Sequence, residues 1–139
     1  MKDNLLITSL QNPRVKDVIK LRNRRDRDEK GLLLIEGYRE ILRALDNQRM
    51  PVTLFICPPL FLGDNEPGLI QRCRDARAQV LECSTDVFHK MAYRDRPDGL
   101  LAIAPQRRLK LDDLQLPAHP LLLIAESIEK PGNLGTMLR

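Results

Sequence analysis

Strand-sized apolar runs separated by segments of helical period constrain this chain more than any other feature of its sequence. Residues 32–35, 52–57, 79–82 and 99–104 are short and apolar-rich, and Glu36-Gly37, Pro58-Pro59 and Pro105 close three of them. That is how buried strands read. Tyr38, Ile41, Leu42 and Leu45 follow the first run at the i, i+3, i+4, i+7 spacing of one helix face,. Leu69, Ile70, Cys73 and Ala76 place another helix before 79–82, and a short helix over 85–91, capped by Ser84 or Thr85, comes after it,. Upstream, Asn12-Pro13 opens an amphipathic helix with Val15, Val18, Ile19 and the aliphatic stem of Arg22 on one face,. Residues 24–30 continue as a short polar helix or loop up to Gly31. Strands alternating with helices at this spacing predict an α/β/α sandwich over residues 1–105, its sheet between helices.

Residues 106–119 are polar and proline-bearing and read as a linker,. Beyond them, Leu121-Leu122-Leu123-Ile124-Ala125 has the composition of a central strand of a parallel sheet, followed by the loop ESIEKPGNLG and half a turn of helix, TMLR,. A strand and half a helical turn cannot hide their own apolar faces. Residues 120–139 are therefore expected to open a second domain, and the chain to be a fragment of a larger protein.

At 139 residues, 42% hydrophobic and 30% charged, the chain has material for one ordinary core,. Its apolar runs fall far short of the ~20 residues of a membrane helix. The first fourteen residues lack the basic, apolar and small-residue succession of a signal peptide, so a cytoplasmic protein without a membrane partner is expected,. Cys57, Cys73 and Cys83 are odd in number and lack CxxC spacing, and His89 and His119 stand alone, which offers neither a disulfide framework nor a metal site,.

Charge is concentrated. Residues 14–30 hold eight Lys or Arg against four Asp or Glu, while the other 122 residues balance 15 bases with 15 acids. Sixteen of the 23 basic residues are Arg, whose planar fork pairs with phosphate oxygens and stacks on bases,. Nucleic acid is the favoured partner, although an Arg-rich helix with interleaved acids also has the composition of a solvated surface. Tyr38, Tyr93, Phe55, Phe61 and Phe88 are few and scattered and read as core or rim packing residues rather than a stacking platform,. Met91 and Met137 read as packing residues too.

The segment from Glu126 to Arg139 joins the last apolar run to a helix through a glycine-containing loop, where α/β folds place chemistry because helix-start N–H groups attract anions,. Taken alone, Pro131-Gly132 could be a turn and Asn133 a helix cap. The run N-x-G-x-x-x-R, filled by Asn133, Gly135 and Arg139, resembles the first motif of the SpoU-type RNA ribose 2′-O-methyltransferases, members of the SPOUT class. Asn12-Pro13-Arg14-Val15-Lys16, Leu34-Ile35-Glu36-Gly37 with Arg39-Glu40, and Asp98-Gly99-Leu100-Leu101-Ala102 resemble that family's N-terminal substrate-binding domain.

The resemblance implies a ribosomal-protein-like RNA-binding domain followed by the first strand and loop of a trefoil-knotted SPOUT domain, one of the rare knotted folds. It implies S-adenosylmethionine as cofactor, rRNA or tRNA as substrate, and a homodimer when complete. Carried over, Arg139 positions the RNA phosphate and ribose and helps deprotonate the 2′-hydroxyl, Asn133 holds the loop, Gly132 and Gly135 shape it, and Glu126 matches a neighbouring acidic position. Transfer to a ribose hydroxyl needs the nucleophile aligned with the sulfonium methyl group and its proton removed. Because an arginine stays protonated in proteins, the sequence supports Arg139 more firmly as a positioning and electrostatic group than as the proton acceptor. Arg14, Lys16, Arg22, Arg24, Arg25, Arg27 and Arg39 are the candidate RNA contacts. The family's later motifs lie outside this sequence, so the 139-residue chain alone is expected neither to bind the cofactor nor to transfer a methyl group. The alternative is a non-catalytic RNA-binding module of ribosomal-protein type.

Overall fold

Local signals start the first two helices. Pro13 occupies the first helical position and Asn12 Oδ1 accepts the Arg14 N–H at 2.9 Å, which fixes the start of α1, Pro13–Lys20,. Asn23 caps α2, Arg24–Lys30, in the same way, and Gly31 ends it in the left-handed conformation at φ +63°,. The computed structural model describes residues 6–129 and 131–138, and the chain divides into two compact units, Met1–Arg107 and Arg108–Arg139.

In the first unit the remaining elements are β1 Leu6–Ile7, β2 Leu32–Glu36, α3 Tyr38–Asp46, β3 Thr53–Ile56, a 3-10 turn Pro58–Leu60, α4 Glu66–Asp75, β4 Gln79–Cys83, α5 Thr85–Met91 and β5 Leu100–Pro105. The five strands make one mixed sheet in the order β1-β4-β3-β5-β2. β1 and β3 run parallel to β4, whereas β5 is antiparallel to both β3 and β2. Alternation along the strands divides the core in two. Phe55, Cys57, Leu81, Cys83 and Leu101 pack with Val15 and Val18 of α1 and with Val87, Phe88 and Met91 of α5. Leu54, Ile56, Leu100 and Ala102 pack with Ile41 and Leu45 of α3 and Leu69, Ile70 and Cys73 of α4. The sheet between two helical layers expected from the sequence is present.

Three details depart from the sequence reading. β2 was expected to be buried, but it is an edge strand and every residue in it is half-buried, because only β5 pairs with it. β1 was not anticipated, since two residues are too few to show a period,. Residues 121–125 form no strand: Leu121 and Ile124 are 99% and 90% exposed, and no strand among the described residues pairs with them. A strand without a hydrogen-bonded neighbour has nothing to hold it extended. In the second unit a short 3-10 turn, Leu111–Asp113, precedes α6, Pro131–Met137. No described helix is long and apolar enough to cross a membrane.

The three free cysteines are all buried. Burial pushes the Cys73 and Cys83 thiols up from an ordinary 9.0 to about 11 and about 12, and raises Cys57 as well. A thiol raised by folding keeps its proton longer in the native chain, so its contribution to stability is complete below about pH 9 and is lost as pH climbs towards 11–12,. The urea midpoint is therefore expected to fall between pH 9 and pH 11, with the three thiols unreactive in the native chain at pH 8. Immediate modification of all three at pH 8 without denaturant would contradict this.

Candidate functional site

Two carboxylates close the end of the first unit. β2 finishes at Glu36, whose Oε2 accepts the Tyr93 N–H at 2.7 Å and whose Oε1 accepts the Arg94 N–H at 3.3 Å. Asp98 Oδ2 accepts the Tyr38 N–H at 2.7 Å and so caps the first turn of α3,. Arg94 Nη2 lies 2.7 Å from Glu40 Oε1. Partial burial works against the Arg94 charge, but the bond to Glu40 and the charges of Glu40, Asp98 and Glu36 outweigh it and hold the guanidinium above its ordinary value. Residues 92–98 are thereby stapled to the β2–α3 turn. Gly37 sits at that turn with φ +106°, and a Cβ there would come within 2.6 Å of both Arg94 Nη1 and Glu40 Oε2,. The Glu36-Gly37 and Asp98-Gly99 pairs thus have a mechanical reason to be where they are.

Beside this staple, along β2, runs a cleft of about 570 Å³. Leu33 and Leu34 contribute its apolar side, Arg22, Arg27 and Arg94 its charge, and Tyr93 stands at its rim, 84% exposed. The Arg22 and Arg27 guanidinium groups are fixed. Arg22 Nη2 donates to the carbonyls of Ala92 at 2.6 Å and Lys90 at 2.9 Å, and Arg27 Nη1 donates to those of Arg22 at 2.7 Å and Leu21 at 3.1 Å.

The other basic candidates differ. Arg14, Lys16, Arg25 and Arg39 are exposed, as Arg22 is, but no backbone carbonyl among the described residues holds their side chains. Arg24 is exposed too and pairs with Asp28 one helical turn on, at 3.6 Å, a contact of little energetic weight in solvent,. Lys30 pairs with Asp17 at 3.1 Å beside a smaller cleft of about 290 Å³ that Arg14 also lines. The structure therefore does not gather all seven candidates: Arg22 and Arg27 share the cleft of β2, and the others lie elsewhere on the surface.

In the second unit, Glu126 and Asn133 line one cleft of about 350 Å³ together with Ser127, Ile128, Glu129 and Met137. Two of the three residues expected to act in catalysis are brought together, and Arg139, the third, lies outside the described residues. Asn133 is not the helix cap that the sequence allowed, because α6 begins at Pro131 and takes Asn133 and Gly135 into the helix. A Cβ on Gly135 would meet nothing within 4 Å. Ser127 adopts φ +55°, a left-handed conformation that non-glycine residues take at a cost and that recurs at functional loops,. These residues do not fit S-adenosylmethionine by themselves. The cleft they line carries two carboxylates, Glu126 and Glu129, and the neighbouring apolar run is exposed, whereas cofactor sites enclose most of the ligand in largely apolar walls.

Glu36, Arg94 and Asp98 were not singled out by chemistry in the sequence, since a carboxylate that accepts from a backbone 57 or more residues away leaves no local pattern. Of the core or rim packing expected for Tyr93, its 84% exposure excludes the core.

The fold just described is that of solved RNA methyltransferases. A crystal structure of an RNA 2′-O ribose methyltransferase superposes with a TM-score of 0.77 at 36% identity, over 96% of this chain and 50% of that one. An rRNA methyltransferase of Sinorhizobium meliloti gives a TM-score of 0.67 at 29% identity, over 78% of this chain and 39% of its own. Among curated sequences, an uncharacterized tRNA/rRNA methyltransferase of Synechocystis is 33% identical over 136 residues, and the 23S rRNA (guanosine(2553)-2′-O)-methyltransferase of Bacillus subtilis is 28% identical over 134. Each alignment takes in 96% of this chain but only 47% and 48% of the relative, so the chain spans about half their length. The chain belongs to the MRM3-like substrate binding domain family, whose model matches residues 12–102.

Proposed function

We propose that this chain is the N-terminal half of an S-adenosylmethionine-dependent RNA ribose 2′-O-methyltransferase. In this reading, residues 1–105 bind rRNA or tRNA, 106–119 link, and 120–139 begin the SPOUT domain and supply its first catalytic motif, with Arg139, Asn133 and Glu126 facing the reacting ribose. The knotted domain, the cofactor pocket and a homodimer contact belong to the other half. One observation carries the reading: the match to a substrate-binding domain covers residues 12–102, the same stretch that holds the charged α1–α2 segment and the stapled cleft. A neighbouring Sinorhizobium meliloti rRNA methyltransferase has been solved with AdoMet bound, which supports the choice of cofactor.

The chemistry available to the described residues is recognition. Exposed Arg14, Lys16 and Arg25 can neutralise phosphates without first breaking an ion pair to any described residue, while Arg22 and Arg27 present guanidinium groups held at fixed angles,. Such a surface reads folded RNA through backbone phosphates, 2′-hydroxyls and unpaired bases. Binding to a structured rRNA fragment is expected to weaken linearly in log affinity against log salt. Replacing Arg14, Lys16 and Arg25 together by Ala is expected to flatten that slope by about 3, roughly 1 for each lost phosphate contact. Affinity that ignores salt would point to a protein-binding scaffold instead.

A further inference from the structure

We infer that the cleft beside β2 is a receptor for an unpaired RNA nucleotide, with Tyr93 as the platform on which its base stacks; this rests on the RNA-binding reading above. Single exposed apolar residues are ordinary on protein surfaces. Tyr93 differs in two ways. Its backbone is held by Glu36, so the ring projects from a fixed point rather than a loose loop. It also shares a cleft of about 570 Å³ with three guanidinium groups, a volume within the roughly 300–1,000 Å³ range of small-ligand sites.

The parts match the parts of a nucleotide. A base needs an aromatic face and a partly apolar wall, which Tyr93, Leu33 and Leu34 provide,. A phosphate needs donors aimed at it. Arg22 and Arg27 each spend one terminal nitrogen on two backbone carbonyls, so among the described residues each keeps its other terminal nitrogen and Nε for an anion. Because those bonds fix both planes before any ligand arrives, little side-chain freedom is lost on binding. The negative charge of Glu36 in the cleft wall is already turned onto the Tyr93 and Arg94 N–H groups. A base inside a duplex cannot reach such a site, so the cleft selects loops, bulges or flipped nucleotides over paired helix.

The test uses the 139-residue chain, a fluorescein-labelled RNA hairpin with an unpaired loop, and a blunt RNA duplex with the hairpin's stem sequence. Tyr93→Ala is expected to weaken hairpin binding by about 5- to 100-fold, the scale of one lost base stack, and to leave duplex binding within twofold. Tyr93→Phe is expected to restore hairpin binding. An equal loss on both RNAs, or no loss on either, overturns the nucleotide receptor while leaving general RNA binding intact. No binding of either RNA by the unaltered chain overturns both readings. Displacement of the hairpin by a millimolar nucleoside monophosphate would reassign the cleft to a free nucleotide and overturn the RNA loop as its occupant. A circular dichroism melt of each variant separates a lost contact from a lost fold.

Discussion

Replacing Gly99 by Ala is expected to destabilise the chain by about 3 kcal/mol, the sum of left-handed strain of roughly 1–2 kcal/mol and overpacking of roughly 1–3 kcal/mol. Gly99 has φ +78°, and a Cβ there would stand 2.5 Å from the Cys57 carbonyl oxygen and 3.0 Å from Phe61 Cδ1. The carbonyl is backbone and cannot swing away. Movement of Gly99 would also strain the 2.8 Å bond from the Cys57 N–H to its own carbonyl, which ties the entry of β5 to the end of β3. For a domain of about 100 residues the loss corresponds to a fall in Tm of roughly 10–20 °C. Gly31→Ala is the control, because Gly31 shares the positive φ but has nothing within 4 Å of its Cβ position, so strain alone costs about 1–2 kcal/mol. Equal melting temperatures for the two variants would refute the steric account of Gly99.

The second large effect concerns activity. In the product of the natural gene, Arg139→Ala is expected to lower methyl transfer to RNA at least 100-fold while RNA affinity falls less than threefold. The reason is the division of labour in the proposed function: there the cations of residues 14–27 are the RNA contacts, whereas Arg139 would contribute to alignment and charge at one ribose, an effect of about 10²–10³ for a single well-placed donor. Arg139→Lys is expected to recover little, because an ammonium cannot reproduce the two-pronged contact of a guanidinium. An Arg139→Ala protein with unchanged turnover would remove Arg139 from the site. A parallel loss of RNA affinity would make it a binding residue.

Periodicity made most of the first unit legible. The i, i+3, i+4, i+7 spacing of α3 predicted its buried Ile41 and Leu45, and Asn12-Pro13 located α1 to the residue. What the apolar runs could not disclose was position within the sheet. Leu32-Leu33-Leu34-Ile35 reads as a buried strand, and Leu34 and Ile35 do each meet a core layer, yet among the described residues its outer edge has no partner strand. Residues 121–125 mislead for the same reason, since burial depends on neighbours as much as on composition. Charge counting likewise found residues 14–30 but could not separate Arg22 and Arg27 from the rest. Their distinction lies in backbone carbonyls, and those that hold Arg22 are 68 and 70 residues away.

The staple has an optical consequence. This chain has no tryptophan and two tyrosines, and their backbone N–H groups are the ones that Asp98 and Glu36 accept. Intrinsic emission from the chain therefore comes from the two sides of one closure, not from the core of Phe55 and Phe88. Far-ultraviolet ellipticity reports the helices and sheet as a whole, while tyrosine emission watches residues 92–98 part from the β2–α3 turn. A difference between the two signals measures local opening against global unfolding, and the native sequence carries both probes without a label.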